Sequence, residues 1–249
     1  KKILIFLLFS ICADIFFANK LESNSLKFHK YNYRDEMLVK NSSNKTIYEL
    51  KIEKENIKKI LETLKRYDKK NAPKKVILNG KIKYTYKKLP NEPKKSIQEI
   101  EDLINNPLKT EKYEIFIKKA FLYLISNSIK IYIKDLGGND LSGQWIHKDK
   151  SLIINKKILK EGTKTFAYLL SHEMIHVSQS CKAGGFNSYP TLLGLFLKEP
   201  ESFYYKYLES DIYQDLTKRE IMLEIEAYAN QRKILQTMNL FKYYCLKQK

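Results

Sequence analysis

The period of the hydrophobic positions changes several times along the chain, and each change marks an element. In KENIKKILETLKRYDKK, Ile57, Ile60, Leu61 and Leu64 recur at helical spacing with lysines on the other face, which predicts an amphipathic helix. KKVILNGKIKYTYKK alternates on both sides of Asn79-Gly80, a dipeptide that suits the positive-φ positions of a two-residue hairpin turn. PKKSIQEIEDLINNPL returns to the helical period after Ser96, and Glu99 three residues on completes a capping box. KYEIFIKKAFLYLISNS predicts another helix, and IKIYIKDLGGNDLSGQWIHKDKSLIIN reads as a strand, a glycine-containing turn region and a strand or hairpin ending near Asn155. From Thr163, placed to cap a helix start, the pattern is helical to the C-terminus and is broken by KAGGFNSYP. Strands precede the helical part and do not alternate with it. The expected class is therefore α+β, a small antiparallel sheet followed by a mainly helical C-terminal part, and not a parallel βαβ sheet.

The N-terminus follows a different pattern. KKILIFLLFSICADIFFANK sets two lysines before an apolar run from Ile3 to Ala13, too short for a comfortable bilayer span and of the length of a secretory leader. Residues 1–18 are expected to be a signal peptide, with an uncleaved anchor as the alternative, and the protein is expected to be exported. Residues 19 to about 50 are polar and aperiodic, a linker or arm. The expected organisation is a basic region over 19–130 and a second region over 131–249, which holds the candidate chemistry. With the leader removed, Cys181 and Cys245 remain. In an exported protein they can pair and staple the C-terminus to a helix end, or stay as two thiols.

Composition narrows the classes of partner. The 249 residues are 43% hydrophobic, ample for a buried core, and carry a formal charge of +18. Of the 46 basic residues only Arg34, Arg66, Arg219 and Arg232 are arginine. Base-reading surfaces lean on the planar two-pronged donor that lysine lacks, so specific nucleic-acid recognition is not expected. The charge is also uneven: residues 1–150 hold 32 Lys+Arg against 18 Asp+Glu, and 151–249 hold 14 against 10. Attraction to an anionic surface, including attachment to a membrane surface, would therefore reside in the N-terminal part.

The nearly balanced part contains the candidate chemistry, YLLSHEMIHVSQS. On a helix, His172 and His176 lie one turn apart on one face and can aim two imidazole nitrogens at one zinc ion. Glu173, beside the first histidine, is suited to take a proton from the water on that zinc and pass it to a leaving amine. Phe166, Leu169, Leu170 and Val177 form the apolar stripe of the same helix. A third protein ligand is needed. His29 and His147 read as surface residues, which leaves Glu224 and Glu226 in REIMLEIEAYANQRKIL. Helical projection sets Glu226 with Asn230, Lys233 and Thr237 on a polar, solvated face. Glu224 falls beside Ala227, Tyr228, Leu235 and Met238 on the inward face, so it is the expected ligand and Glu226 the alternative.

HEMIH with a helical E-x-x-A 48 positions later resembles the gluzincins, zincin metallopeptidases whose third ligand is a helical glutamate. HEMIHVSQ, with Gln179 three residues past the second histidine, is similar to a bacterial group of metallopeptidases carrying HExxHxxQ, and LEIEA to that group's E-x-E-A segment. The likeness covers about Asp140 to Thr237. It implies a zincin-like region, one Zn²⁺ on His172, His176 and Glu224, Glu173 as general base, and peptide or protein substrates lying along the strand before the helix. One departure stands out. Such families often place Asp or Asn four residues after the ligand glutamate to support the first histidine; Tyr228 stands there, and Asn230 holds that relation to Glu226. Two other readings of the chain are a zincin-like module that binds without turnover and a basic protein acting through its N-terminal region.

Overall fold

A computed structural model describes residues 49–88, 93–136, 141–195, 213 and 215–246, all within a unit running from Asn44 to Lys249. The expected leader and polar arm lie outside the described residues, apart from the last two positions of the arm, which open the first strand. No helix among the described residues is long and apolar enough to cross a membrane.

The strands are β1 (Glu49–Lys51), β2 (Lys74–Leu78), β3 (Lys81–Thr85), β4 (Lys130–Lys134), β5 (Gly143–Ile146) and β6 (Ser151–Asn155). The helices are α1 (Ile57–Asn71), α2 (Ile97–Asn105), α3 (Glu111–Ser126), α4 (Thr163–Lys182), α5 (Lys218–Asn230) and α6 (Ile234–Phe241). The α+β class is as expected. The hairpin β2–β3 turns at Asn79 and Gly80, both at positive φ, and α2 starts with the Ser96–Glu99 capping box.

A four-stranded sheet has the order β1-β4-β6-β5. Its β1–β4 and β5–β6 ladders are antiparallel, but β4 and β6 run parallel, so the sheet is mixed and not wholly antiparallel. The reason is topological. β6 doubles back on β5 through a tight turn at 147–150 and inserts between β5 and β4, which forces it to run with β4. In this register Ile131 lies beside Leu152 and Ile133 beside Ile154, while Trp145 faces Leu152 from the other side. All five are essentially inaccessible. A fully buried aliphatic side chain stabilises by about 1.5–3 kcal/mol over an exposed one.

One hydrophobic core joins this sheet to α1, α3, α4 and α6, with Leu64, Phe121, Phe166 and Phe241 at its centre. Residues on both sides of the expected 130/131 boundary share it, so α1 and α3 of the basic region pack in one core with the HEMIH helix. The central element is α4, buried without interruption from Leu170 to Cys181. Its apolar stripe is where the sequence predicts, yet its polar positions are buried as well, and its three buried serines each find a partner. Ser171 bonds Thr237 at 2.8 Å, Ser178 donates to Met174 O at 2.9 Å, and Ser180 accepts the Trp145 indole N–H at 2.9 Å. Thr163 does not cap this helix. The start is held from another helix: Asp68 of α1 accepts the Thr163 N–H at 2.9 Å and also its hydroxyl.

Cys181 and Cys245 are joined, 5.1 Å apart at Cα and 64 residues apart in sequence. The bond ties the end of α4 to the helical turn Lys242–Leu246 that follows α6. Closing so long a loop restricts the unfolded chain, and Cys245→Ser is expected to lower stability by about 2–4 kcal/mol in denaturant titration.

Candidate metal centre

The centre is assembled where α5 crosses α4. Within α4, the His172 and His176 Nε2 atoms converge to 3.0 Å, as the four-residue spacing requires. The capping box of Thr217 and Glu220 starts α5, and from this helix Glu224 meets both imidazoles. Glu224 Oε2 lies 3.2 Å from His172 Nε2, and Oε1 lies 3.5 Å from His176 Nε2. All three side chains are buried, and their ligand atoms lie within 4.8 Å of one another. His29 lies outside the described residues, and His147 packs edge-on against Tyr189.

Glu226 is the correction. It is not solvated: it is 1% exposed, and so are its expected companions Asn230 and Thr237 nearly inaccessible. Its Oε2 accepts from Gln179 Nε2 at 2.9 Å and Leu193 N at 2.8 Å; its Oε1 accepts from Gly194 N at 2.8 Å and Leu195 N at 3.0 Å. Four donors occupy both oxygens, which leaves this carboxylate engaged elsewhere and Glu224 as the one that meets the histidines. The projection failed for two physical reasons. The helix ends at Asn230, so Lys233 and Thr237 do not continue its face, and the segment 191–195 covers the side that looked polar. Leu235, expected to face inward, is 78% exposed for the same reason. Asn230 closes the helix end, donating to Glu226 O at 2.9 Å and accepting from Lys233 Nζ at 2.8 Å.

Gln179 links the two glutamates' surroundings. Its Nε2 can only donate, and it does so to Glu226 and toward Leu223 O at 3.3 Å, so its Oε1 must face His176 Nδ1, 2.8 Å away. That places the proton of His176 on Nδ1 and leaves the Nε2 lone pair directed at the centre. Backbone amides, Glu226, Gln179 and His176 thus form one chain of hydrogen bonds. Gln179→Leu is expected to weaken metal binding about 10–100-fold, measured by competition with a chromophoric chelator.

The first histidine is supported differently. Where a carboxylate or amide is common, the Tyr228 ring packs edge-on against His172, centroids 4.5 Å apart, and His172 Nδ1 has no hydrogen-bond partner among the described residues. The Tyr228 hydroxyl bonds that of Tyr213 at 2.9 Å. Burial, reinforced by the negative charge of Glu224, pushes the Tyr213 hydroxyl far above its ordinary range, so it stays protonated. Nothing in the sequence pattern marked Tyr213. Tyr189, by contrast, donates to Glu220 at 3.1 Å and lies against Arg219.

Glu173 is 3% exposed and lies against the edge strand β5. A Cβ on Gly143 would stand 2.8 Å from Glu173 Oε1 and 3.2 Å from its Cδ, so the room for this carboxylate depends on glycine at that position. Trp145, two residues on, is packed against α4 and does not line an opening.

Two imidazole nitrogens and a carboxylate oxygen, buried and converging, suit several divalent first-row metals. Protons alone satisfy the cluster poorly, since one His172 Nε2–H cannot serve both the carboxylate and the second imidazole well; a shared cation serves all three donors. Compared with protein-family models, curated proteins and solved structures, the chain has no match in any of the three.

Proposed function

We propose that this protein is a zinc-dependent metallopeptidase of the gluzincin type, exported from the cell, that hydrolyses peptide bonds in peptide or protein substrates. The observation that carries the proposal is the buried convergence of His172, His176 and Glu224 with Glu173 one residue from the first histidine. Zinc held by those three residues would lower the pKa of a coordinated water and polarise a substrate carbonyl. Glu173 would then take the proton from the attacking water and deliver it to the leaving amine nitrogen. Tyr228, backed by the protonated Tyr213, supplies a hydroxyl beside His172 for the charge that develops on the carbonyl oxygen. Strand β5 brings Gly143 to Glu173, but all four of its residues are buried, so the expected substrate position along this strand is not open in this structure. The Cys181–Cys245 bond supports export, since disulfides persist in oxidising compartments.

The test is elemental analysis of the purified protein together with hydrolysis of unstructured protein substrates by wild type and Glu173→Gln. Stoichiometric zinc with hydrolysis abolished in the variant is the expected result. A protein without stoichiometric metal would overturn the zinc reading. Metal retained, with no hydrolysis in either form, would make the protein a binding module.

A further inference from the structure

The hairpin β2–β3 contributes no residue to either hydrophobic cluster found among the described residues, yet it is rich in large apolar side chains. Ile77 is 70% exposed, Ile82 55%, Leu78 54% and Val76 40%. Ile77 and Ile82 are cross-strand partners on one face, and Leu78, on the other face, flanks the Asn79-Gly80 turn. The base of the hairpin is anchored differently: Lys75 and Tyr84, the next cross-strand pair on that face, both bond Glu101 of α2. The anchored end is thus polar, and the turn end is aliphatic.

Charge completes the pattern. Residues 74–88 contain six lysines and no Asp or Glu. Lys75 pairs with Glu101 and Lys87 with Glu161, whereas Lys74, Lys81 and Lys83 pair with no carboxylate among the described residues. On the face opposite Ile77, the register sets Lys83 across from Val76 and Lys81 across from Leu78. Exposed aliphatic groups at a turn with cations around them suit a surface that is negative outside and hydrocarbon inside.

We infer that the β2–β3 hairpin docks this protein on anionic lipid bilayers, with Ile77, Leu78 and Ile82 entering the acyl boundary and Lys74, Lys81 and Lys83 meeting lipid phosphates. A nucleic acid fits less well. Its phosphates would meet the lysines, but Ile77, Leu78 and Ile82 offer neither aromatic stacking nor guanidinium donors. The hairpin is separate from the His172, His176 and Glu224 cluster, and the inference does not depend on the proposed hydrolysis.

The test is co-sedimentation of the full chain with phosphatidylcholine vesicles containing or lacking phosphatidylglycerol. Binding is expected only to the anionic vesicles and is expected to weaken as salt rises. Lys81→Glu with Lys83→Glu should lower affinity by at least about 25-fold, at about fivefold per lysine lost. Ile77→Asp should lower it about tenfold or more. Ile77→Trp adds a local reporter, because the natural Trp145 is buried and its emission is not expected to respond. A blue shift of the new tryptophan on anionic vesicles is expected. Undiminished binding by Ile77→Asp and by the lysine variant would overturn the inference. So would vesicle binding without that shift, or binding of wild type to single-stranded DNA but not to vesicles.

Discussion

Glu173→Gln is expected to lower peptide hydrolysis by about 10²–10⁴-fold while metal content stays at the wild-type level. The substitution keeps the size of the side chain, so the packing against Gly143 and α4 is preserved. What is lost is basicity: an amide cannot take a proton from the attacking water. The two readouts separate the roles. Steady-state kinetics report the proton transfer, and elemental analysis reports the ligands. Loss of metal in this variant would mean that Glu173 belongs to the ligand set, and unchanged hydrolysis would remove it from the mechanism.

The second large effect is a contrast between two glutamates two residues apart. Glu224→Ala is expected to abolish stoichiometric metal binding, since one of the three converging ligands is gone, while the fold persists. Glu226→Ala is expected to act first on stability, costing at least about 3 kcal/mol, because it strands the Gln179 amide and three backbone N–H groups around a buried site. Metal affinity should fall in that variant only through Gln179 and His176. Denaturant titration beside isothermal metal titration distinguishes the two outcomes. A stable Glu226→Ala protein that has lost its metal would reverse the assignment of the third ligand.

Local chemistry was legible in the sequence wherever neighbours along the chain decide it. Asn79-Gly80 needed only its own backbone preferences to make a turn, Ser96 and Glu99 only each other to cap α2. His172 and His176 converge because four residues make about one helical turn, whatever packs around them. Glu224 is also legible as the inward-facing carboxylate of its helix. The helix projected through Thr237 in fact ends at Asn230.

Tertiary structure decided everything that requires a second segment to arrive. Glu226 reads as a surface charge until the backbone amides of 193–195 come to it, and Gln179 reads as one more polar letter until Glu226 fixes its amide. The cap of α4 comes from Asp68, 95 residues away, and the parallel pairing of β4 with β6 follows from where the β5–β6 turn inserts in the sheet. Tyr213 had no sequence signal at all; burial first, then the nearby Glu224 and Tyr228, raise its hydroxyl's pKa, and each depends on the packed fold. The HEMIH helix itself shows the division. Its own spacing sets the two histidines on one face, but the partners of its buried Ser171, Gln179 and Ser180 come from α6, α5 and β5. A periodic pattern carries information about one face of one element. Hydrogen-bond partners for a buried polar group are a property of the packed molecule.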